Sequence, residues 1–211
     1  MRPQPLDGAF LAGPVDQAAR ALLGALVVRD DEAGRRVARI VETEAYAGPE
    51  DRASHARAGR TSRNGVMFGP PGRAYVYLVY GLHHCLNVVC GPEGRAAAVL
   101  VRAIEPIDGV ALMRARRGAA AGTDARLAAG PARTCQALAI DRALDGIDLL
   151  SDARLWLARP GRLGAPLADQ VRIVAGPRIG VAYAGPEWAA RMWRFGIAGH
   201  PSLSRPFPTL A

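Results

Sequence analysis

The chain contains no lysine; all 27 of its basic residues are arginine. Covalent catalysis through a lysine Schiff base is therefore excluded, because guanidinium groups stay protonated and are not nucleophiles. Asparagine is nearly absent too, with Asn64 and Asn87 the only two in 211 residues. The three cysteines, Cys85, Cys90 and Cys135, form an odd set without CxxC spacing. That argues against a disulfide framework or a zinc ribbon and for reduced thiols. No apolar run reaches the ~18 residues of a membrane span, and the N-terminus has no long apolar leader core. The chain reads as cytoplasmic, with no membrane partner.

What is present is unevenly placed. The net charge of +8 points to a polyanionic partner. Residues 40–105 hold both asparagines, four of the five tyrosines (Tyr46, Tyr75, Tyr77, Tyr80) and three of the four histidines (His55, His83, His84). Glu42 and Glu44 lie in the same stretch. Alanine, glycine and arginine fill most other places, as in a GC-rich coding sequence, so this density of polar aromatics stands out. It is what a pocket for a flat polar ligand requires.

Half the residues are apolar, enough for one core, and no repeat or boundary divides 1–211. Residues 1–13 read as a flexible N-terminal arm. Pro14 and Asp16 open a helix through Leu22 and Leu23. Strands are expected at 26–29 and 36–46, joined over the polar stretch 30–34. Alternation along 36–46 puts Ile40, Glu42, Glu44 and Tyr46 on one face and Arg39, Val41, Thr43 and Ala45 on the other. A loop from 47 to 72 is long enough to be functional. Further strands are expected at 74–79, 85–90 and 97–104. A helix should open at Pro106 and run to about Arg116, and a connector should span 117–129. A second helix is expected at 132–140, then short strands at 155–157, 170–175, 179–182 and 192–197. The fold class is α+β: one compact domain with a curved, mostly antiparallel, open-barrel-like sheet flanked by helices.

Several strings carry a resemblance: VETEAY at 41–46, GPEDRASH ending at His55, TSRN at 61–64 and YVYLVYG at 75–81. CLN ending at Asn87, LVRAIEP at 100–106, GPARTCQALAI at 130–140 and the closing SLSRP follow in order. Together they resemble the 3-methyladenine (alkyladenine) DNA glycosylase family, the alkylpurine-excising type without a helix-hairpin-helix, over residues 8 to 206. The resemblance implies a single mixed domain in base-excision repair, acting as a monomer on double-stranded DNA with damaged purines. It implies no metal and no organic cofactor, and a bacterial-type, nucleoid-associated location.

Strand periodicity alone leaves Glu42 and Glu44 equivalent; the resemblance assigns the catalytic carboxylate to Glu44. A carboxylate suits the chemistry, since breaking a purine N-glycosidic bond builds positive charge on the sugar and needs an activated water. Arg102, in an otherwise apolar strand, is the expected partner cation, because a buried guanidinium must be paired. The resemblance gives base binding to Tyr46, His55 and Tyr77, and crowding of the purine edge to Asn87. Bases flipped from a duplex are held by stacking. Tyr80, at a Tyr-Gly turn, is the expected wedge. Arg63 and Asn64 resemble a motif supporting the site or the phosphates. Arg114, Arg116, Arg117, Arg126 and Arg133 read as backbone neutralisation, and one of His83 and His84 as a DNA contact. Two other readings stay open: a non-catalytic nucleic-acid-binding module, which leaves Glu44 and Arg102 without a task, and a hydrolase of free nucleosides, which needs neither Tyr80 nor the +8 charge.

Overall fold

The computed structural model describes residues 3–160 and 172–208. Eight strands form one open antiparallel sheet: β1 (Leu26–Arg29), β2 (Arg36–Ala47), β3 (Ala74–Val79), β4 (His83–Val89), β5 (Ala97–Asp108), β6 (Leu155–Ala158), β7 (Ile173–Gly176) and β8 (Arg194–Ile197). Their order is β3-β4-β5-β2-β1-β6, with β8 on the second half of β2 and β7 on β8. Five helices accompany it: α1 (Val15–Ala21), α2 (Val110–Arg117), α3 (Asp124–Leu127), α4 (Pro131–Leu138) and α5 (Pro186–Ala190). The α+β expectation holds.

The main core joins α1, α2, α3 and α4 to one face of the sheet through Leu22, Met113, Leu127, Leu138, Val76, Leu86, Val99 and Val101. Thr43 lies on this face, its hydroxyl donating to the Ala19 carbonyl of α1 at 2.8 Å. Glu42, Glu44 and Tyr46 therefore emerge on the opposite face, where the site is built.

The expected face of Ile40 is corrected. Ile40 sits in the main core with Ala38 and Ala45, whereas Val41 packs with Ala103 and Ile197. The cause is a pair of register shifts between β2 and β5, at Ile40/Glu42 and Glu42/Thr43. Each bulge puts an extra residue into one strand and inverts alternation beyond it. Strict alternation would put either Ile40 or the carboxylates on the wrong side. The shifts put both Ile40 and the two glutamates where their chemistry fits.

Other expectations also change. Pro106 does not open a helix; β5 runs through it to Asp108, opposite Ala38 and beside a register shift. Proline is tolerated at such a bulge, where a missing N–H breaks no ladder bond. The N-terminal segment is no loose arm over its described part. Pro5 bridges Ala158, Leu6 N–H donates to the Leu157 carbonyl, and Leu11 is fully buried. Residues 117–129 are not a plain connector either, since they include α3 and bury Leu127 and Ala128. The strand expected at 179–182 is a loop leading into a short 3-10 turn, Ala182–Ala184. The expected strand at 170–175 begins outside the described residues; its described part is β7.

Candidate active site

Cross-strand pairing lays out the site. Tyr75 of β3 faces Asn87 of β4, Asn87 faces Leu100 of β5, Leu100 faces Glu44 of β2, and Glu44 faces Arg194 of β8. Directly paired residues project on the same side of a sheet. One row across five strands thus collects residues distant in sequence.

The two glutamates are both fully buried but differently bound. Glu42 accepts four bonds: from Arg102 Nε (3.0 Å), Arg194 Nη1 (3.2 Å) and Ser204 Oγ (2.8 Å) at Oε1, and from Ser204 N–H (2.6 Å) at Oε2. Glu44 accepts three: from Arg102 Nη1 (3.2 Å) and the Tyr46 hydroxyl (2.8 Å) at Oε2, and from Ile179 N–H (2.7 Å) at Oε1. A carboxylate offers about four lone-pair directions. Three of the Glu42 donors crowd Oε1 and one holds Oε2, whereas Glu44 takes two on Oε2 and one on Oε1, so each carboxylate keeps an acceptor position.

Their electrostatics follow from burial and pairing. Burial pushes the Glu44 carboxyl above the ordinary glutamate value; Arg102, Ile179 N–H and the Tyr46 hydroxyl pull it back, and Glu42 pushes it further up. Burial also works against the Arg102 charge, but Glu44 and Glu42 outweigh it and hold the guanidinium above its usual value. Burial, then Glu44, raises Tyr46 well above a normal phenol, so its hydroxyl stays a donor.

Tyr46, His55, Tyr75, Tyr77, Asn87 and Tyr183 line a pocket of about 60 Å³, floored by Ala53, Met67 and Ala98. The rings brace one another. Tyr75 and Tyr77 stack with centroids 5.2 Å apart, and His55 meets Tyr77 edge-on at 4.4 Å. His55 Nδ1 and the Tyr75 hydroxyl form a hydrogen bond of 2.9 Å. Desolvation by these rings, then the Arg63 and Arg57 charges, lower the imidazole to about 4, so it is neutral at physiological pH. Asn87 is buried and donates from Nδ2 to the Tyr75 carbonyl at 3.0 Å, which fixes its orientation in the wall.

The DNA-contact expectations divide. Tyr80 is 91% exposed at the tip of the β3–β4 hairpin, with Leu82 beside it. It holds φ 52°, and Gly81 φ 69°, across a turn closed by Leu82 N–H to the Val79 carbonyl. A left-handed tyrosine is strained, and such strain gathers where function needs it. Arg63 is exposed, donates to the Leu78 carbonyl at 3.2 Å and lies 5.5 Å from the Tyr77 ring. Asn64 is no surface contact. It is buried, donates to the carbonyls of His55 and Gly59 and accepts from Thr61 N–H, stapling the loop that carries His55. Arg117 is likewise withdrawn, donating inward to the carbonyls of Leu127 and Ala120. Arg114 is paired with Asp124 at 2.5 Å. His83 is exposed and His84 half-buried.

Sequence reasoning missed five groups, Arg194 beside Glu42 among them. Ile179 supplies a backbone N–H, which no side-chain pattern reports. Arg178 pairs both nitrogens with Asp51 (2.5 and 2.9 Å) and lies 4.8 Å from the Tyr46 ring, locking that ring and the Ile179 loop together. Ser204, within SLSRP, caps Glu42, and Tyr183 enters the pocket from the far end of the chain. The motif SLSRP was the available signal for Ser204. Arg178 and Tyr183 had none beyond residue type.

A buried carboxylate beside a paired guanidinium and a small aromatic pocket, with Arg57 and Arg63 near its rings, has the chemistry that hydrolysis at a flat polar ring would call for. The comparisons agree in kind. Residues 9–201 match the model of the methylpurine-DNA glycosylase family, and the chain belongs to that family. It is 52% identical over 207 residues (98% of this chain, 88% of the relative) to a protein of Anaeromyxobacter dehalogenans strain 2CP-1 that carries the name of a 3-methyladenine DNA glycosylase. It is 43% identical over 204 residues to human DNA-3-methyladenine glycosylase, covering 92% of this chain and 66% of the human protein.

Proposed function

We propose that the protein is a monofunctional DNA glycosylase of base-excision repair. It rotates an alkylated or deaminated purine out of duplex DNA and hydrolyses the N-glycosidic bond with a water activated by Glu44. The observation that carries this reading is the asymmetry of the two glutamates. Glu42 is held by four donors from Arg102, Arg194 and Ser204, none of which lines the pocket, whereas Glu44 has three and is tied to Tyr46 of the pocket wall.

In the mechanism, the purine enters between Tyr46 and the His55–Tyr77 pair and gains stacking of ~1–3 kcal/mol. Neutral His55 adds no charge against a cationic alkylpurine. As the C1′–N bond lengthens, its electron pair leaves with the base; an N-alkylated purine, already positive, departs neutral, whereas hypoxanthine departs as an anion that takes a proton from solvent. The ionised Glu44 stabilises the positive sugar, takes a proton from the water, and the water oxygen bonds to C1′. Arg102 keeps Glu44 oriented and ionised against the burial that favours its protonated form. Asn87 crowds the purine edge and disfavours an exocyclic amine. Tyr80 fills the gap in the duplex, Arg63 lies on the DNA side of the pocket, and Asn64 holds the His55 loop. The protein acts as a monomer on double-stranded DNA.

The test is base release from duplexes carrying hypoxanthine or a methylpurine, compared with the matching free nucleosides. Release from duplex alone is expected. Equal release from nucleosides points to a nucleoside hydrolase, and tight binding without release to a binding module.

A further inference from the structure

The base pocket has about 60 Å³ of space, well below the ~300 Å³ at the lower end of small-molecule pockets. A purine therefore needs a wall to move. Most of the walls are fixed. Tyr75, Met67 and Asn87 are buried, Tyr46 is bonded to Glu44 and backed by Arg178, and Tyr77 is clasped by Tyr75 and His55. His55 is tied through its ring to Tyr75 and through its carbonyl to Asn64.

Tyr183 differs. It is 62% exposed, and its hydroxyl makes one bond, donating to the Ala53 carbonyl at 3.0 Å. Its outer neighbour is Arg57, whose guanidinium lies 5.3 Å from the ring and whose side chain is exposed. The turn beneath it is held firmly, since Val181 and Ala184 are buried against Ala53. The anchor is fixed while the ring can swing.

We propose that Tyr183 is a specificity-determining gate: its hydroxyl latches to Ala53, it swings out to admit the base, and its ring then closes over the base as a size filter. This rests on the pocket being the base site. Arg57, exposed and 5.3 Å from the ring, sets positive charge beside the gate.

The experiment uses two variants and two readouts. Duplexes carry 7-methylguanine or 7-benzylguanine, and kcat/KM is measured for each. Tyr183→Ala removes the filter and should raise the benzyl-to-methyl ratio by at least about ten-fold, the scale of a pocket's discrimination by bulk. Tyr183→Phe keeps the ring and removes the latch. It should leave that ratio near wild type and speed base entry several-fold, read by stopped-flow fluorescence of ethenoadenine in duplex DNA. Folding is checked by thermal melting, and an exposed side chain should tolerate both changes. Active, folded variants with wild-type ratio and wild-type entry rate overturn the gate alone. A wild-type protein that excises no adduct overturns the glycosylase reading, and the gate with it.

Discussion

Replacing Glu44 with glutamine separates catalysis from stability because of how its partners are arranged. Ile179 N–H points at one carboxylate oxygen, and Arg102 and the Tyr46 hydroxyl at the other. Glutamine has one acceptor oxygen. If that oxygen faces Arg102 and Tyr46, its amide group meets Ile179 N–H donor to donor. An unsatisfied buried group costs about 1–3 kcal/mol. Against this, the substitution removes a buried charge. The folded state holds the Glu44 proton more tightly than the unfolded chain, so this group stabilises least once pH has risen through its folded-state value. At neutral pH the two effects oppose, and Glu44→Gln should melt within about 2 kcal/mol of wild type. Loss of the base and of the anion should slow single-turnover release of hypoxanthine by about 10²- to 10⁴-fold, with lesion-DNA binding retained. Wild-type release should rise with pH through the elevated Glu44 titration, and the variant should lose that limb. Glu42→Gln is the control. It breaks a carboxylate held by two arginines and Ser204, so it should cost about 3–5 kcal/mol of stability. A folded but inactive Glu42→Gln beside an active Glu44→Gln would refute the assignment.

Tyr80→Gly should relieve the left-handed strain at φ 52° and melt no lower than wild type, yet bind lesion duplex more weakly with an unchanged salt slope; a changed slope would mean that Tyr80 acts through the fold. Asn87→Ala should relax discrimination against guanine roughly ten- to hundred-fold, measured as guanine against hypoxanthine release. It should also cost about 1–3 kcal/mol, because the Tyr75 carbonyl loses its donor. Unchanged selectivity in a folded variant would take Asn87 out of the reading. Borohydride added during turnover should trap no protein–DNA adduct, since the chain has no lysine. An adduct lost on blocking the N-terminus would overturn the monofunctional reading.

Much of the molecule was determined by the sequence alone, because local signals carry it. Strands β1 and β3 have the expected limits, since their apolar runs end at turn residues. Tyr80-Gly81 marks a hairpin turn by composition, and family membership is legible from motifs in order. The lysine-free composition rules out a lysine Schiff base without any coordinates. Tertiary structure decided what depends on pairing between distant strands. The β2–β5 register shifts, and not alternation, send Ile40 to the core and both glutamates to the site. Pro106 stays in a strand because a partner strand and a bulge accept it, overriding its local preference. Leu11 anchors a segment whose composition reads as loose, because the core has a place for it. The partners that distinguish Glu42 from Glu44, on which the proposed assignment draws, are Ser204, Arg194 and the Ile179 N–H, which lie 135 to 162 residues away along the chain. Periodicity speaks only of neighbours in the chain, whereas a side chain's hydrogen-bond partners are set by neighbours in space.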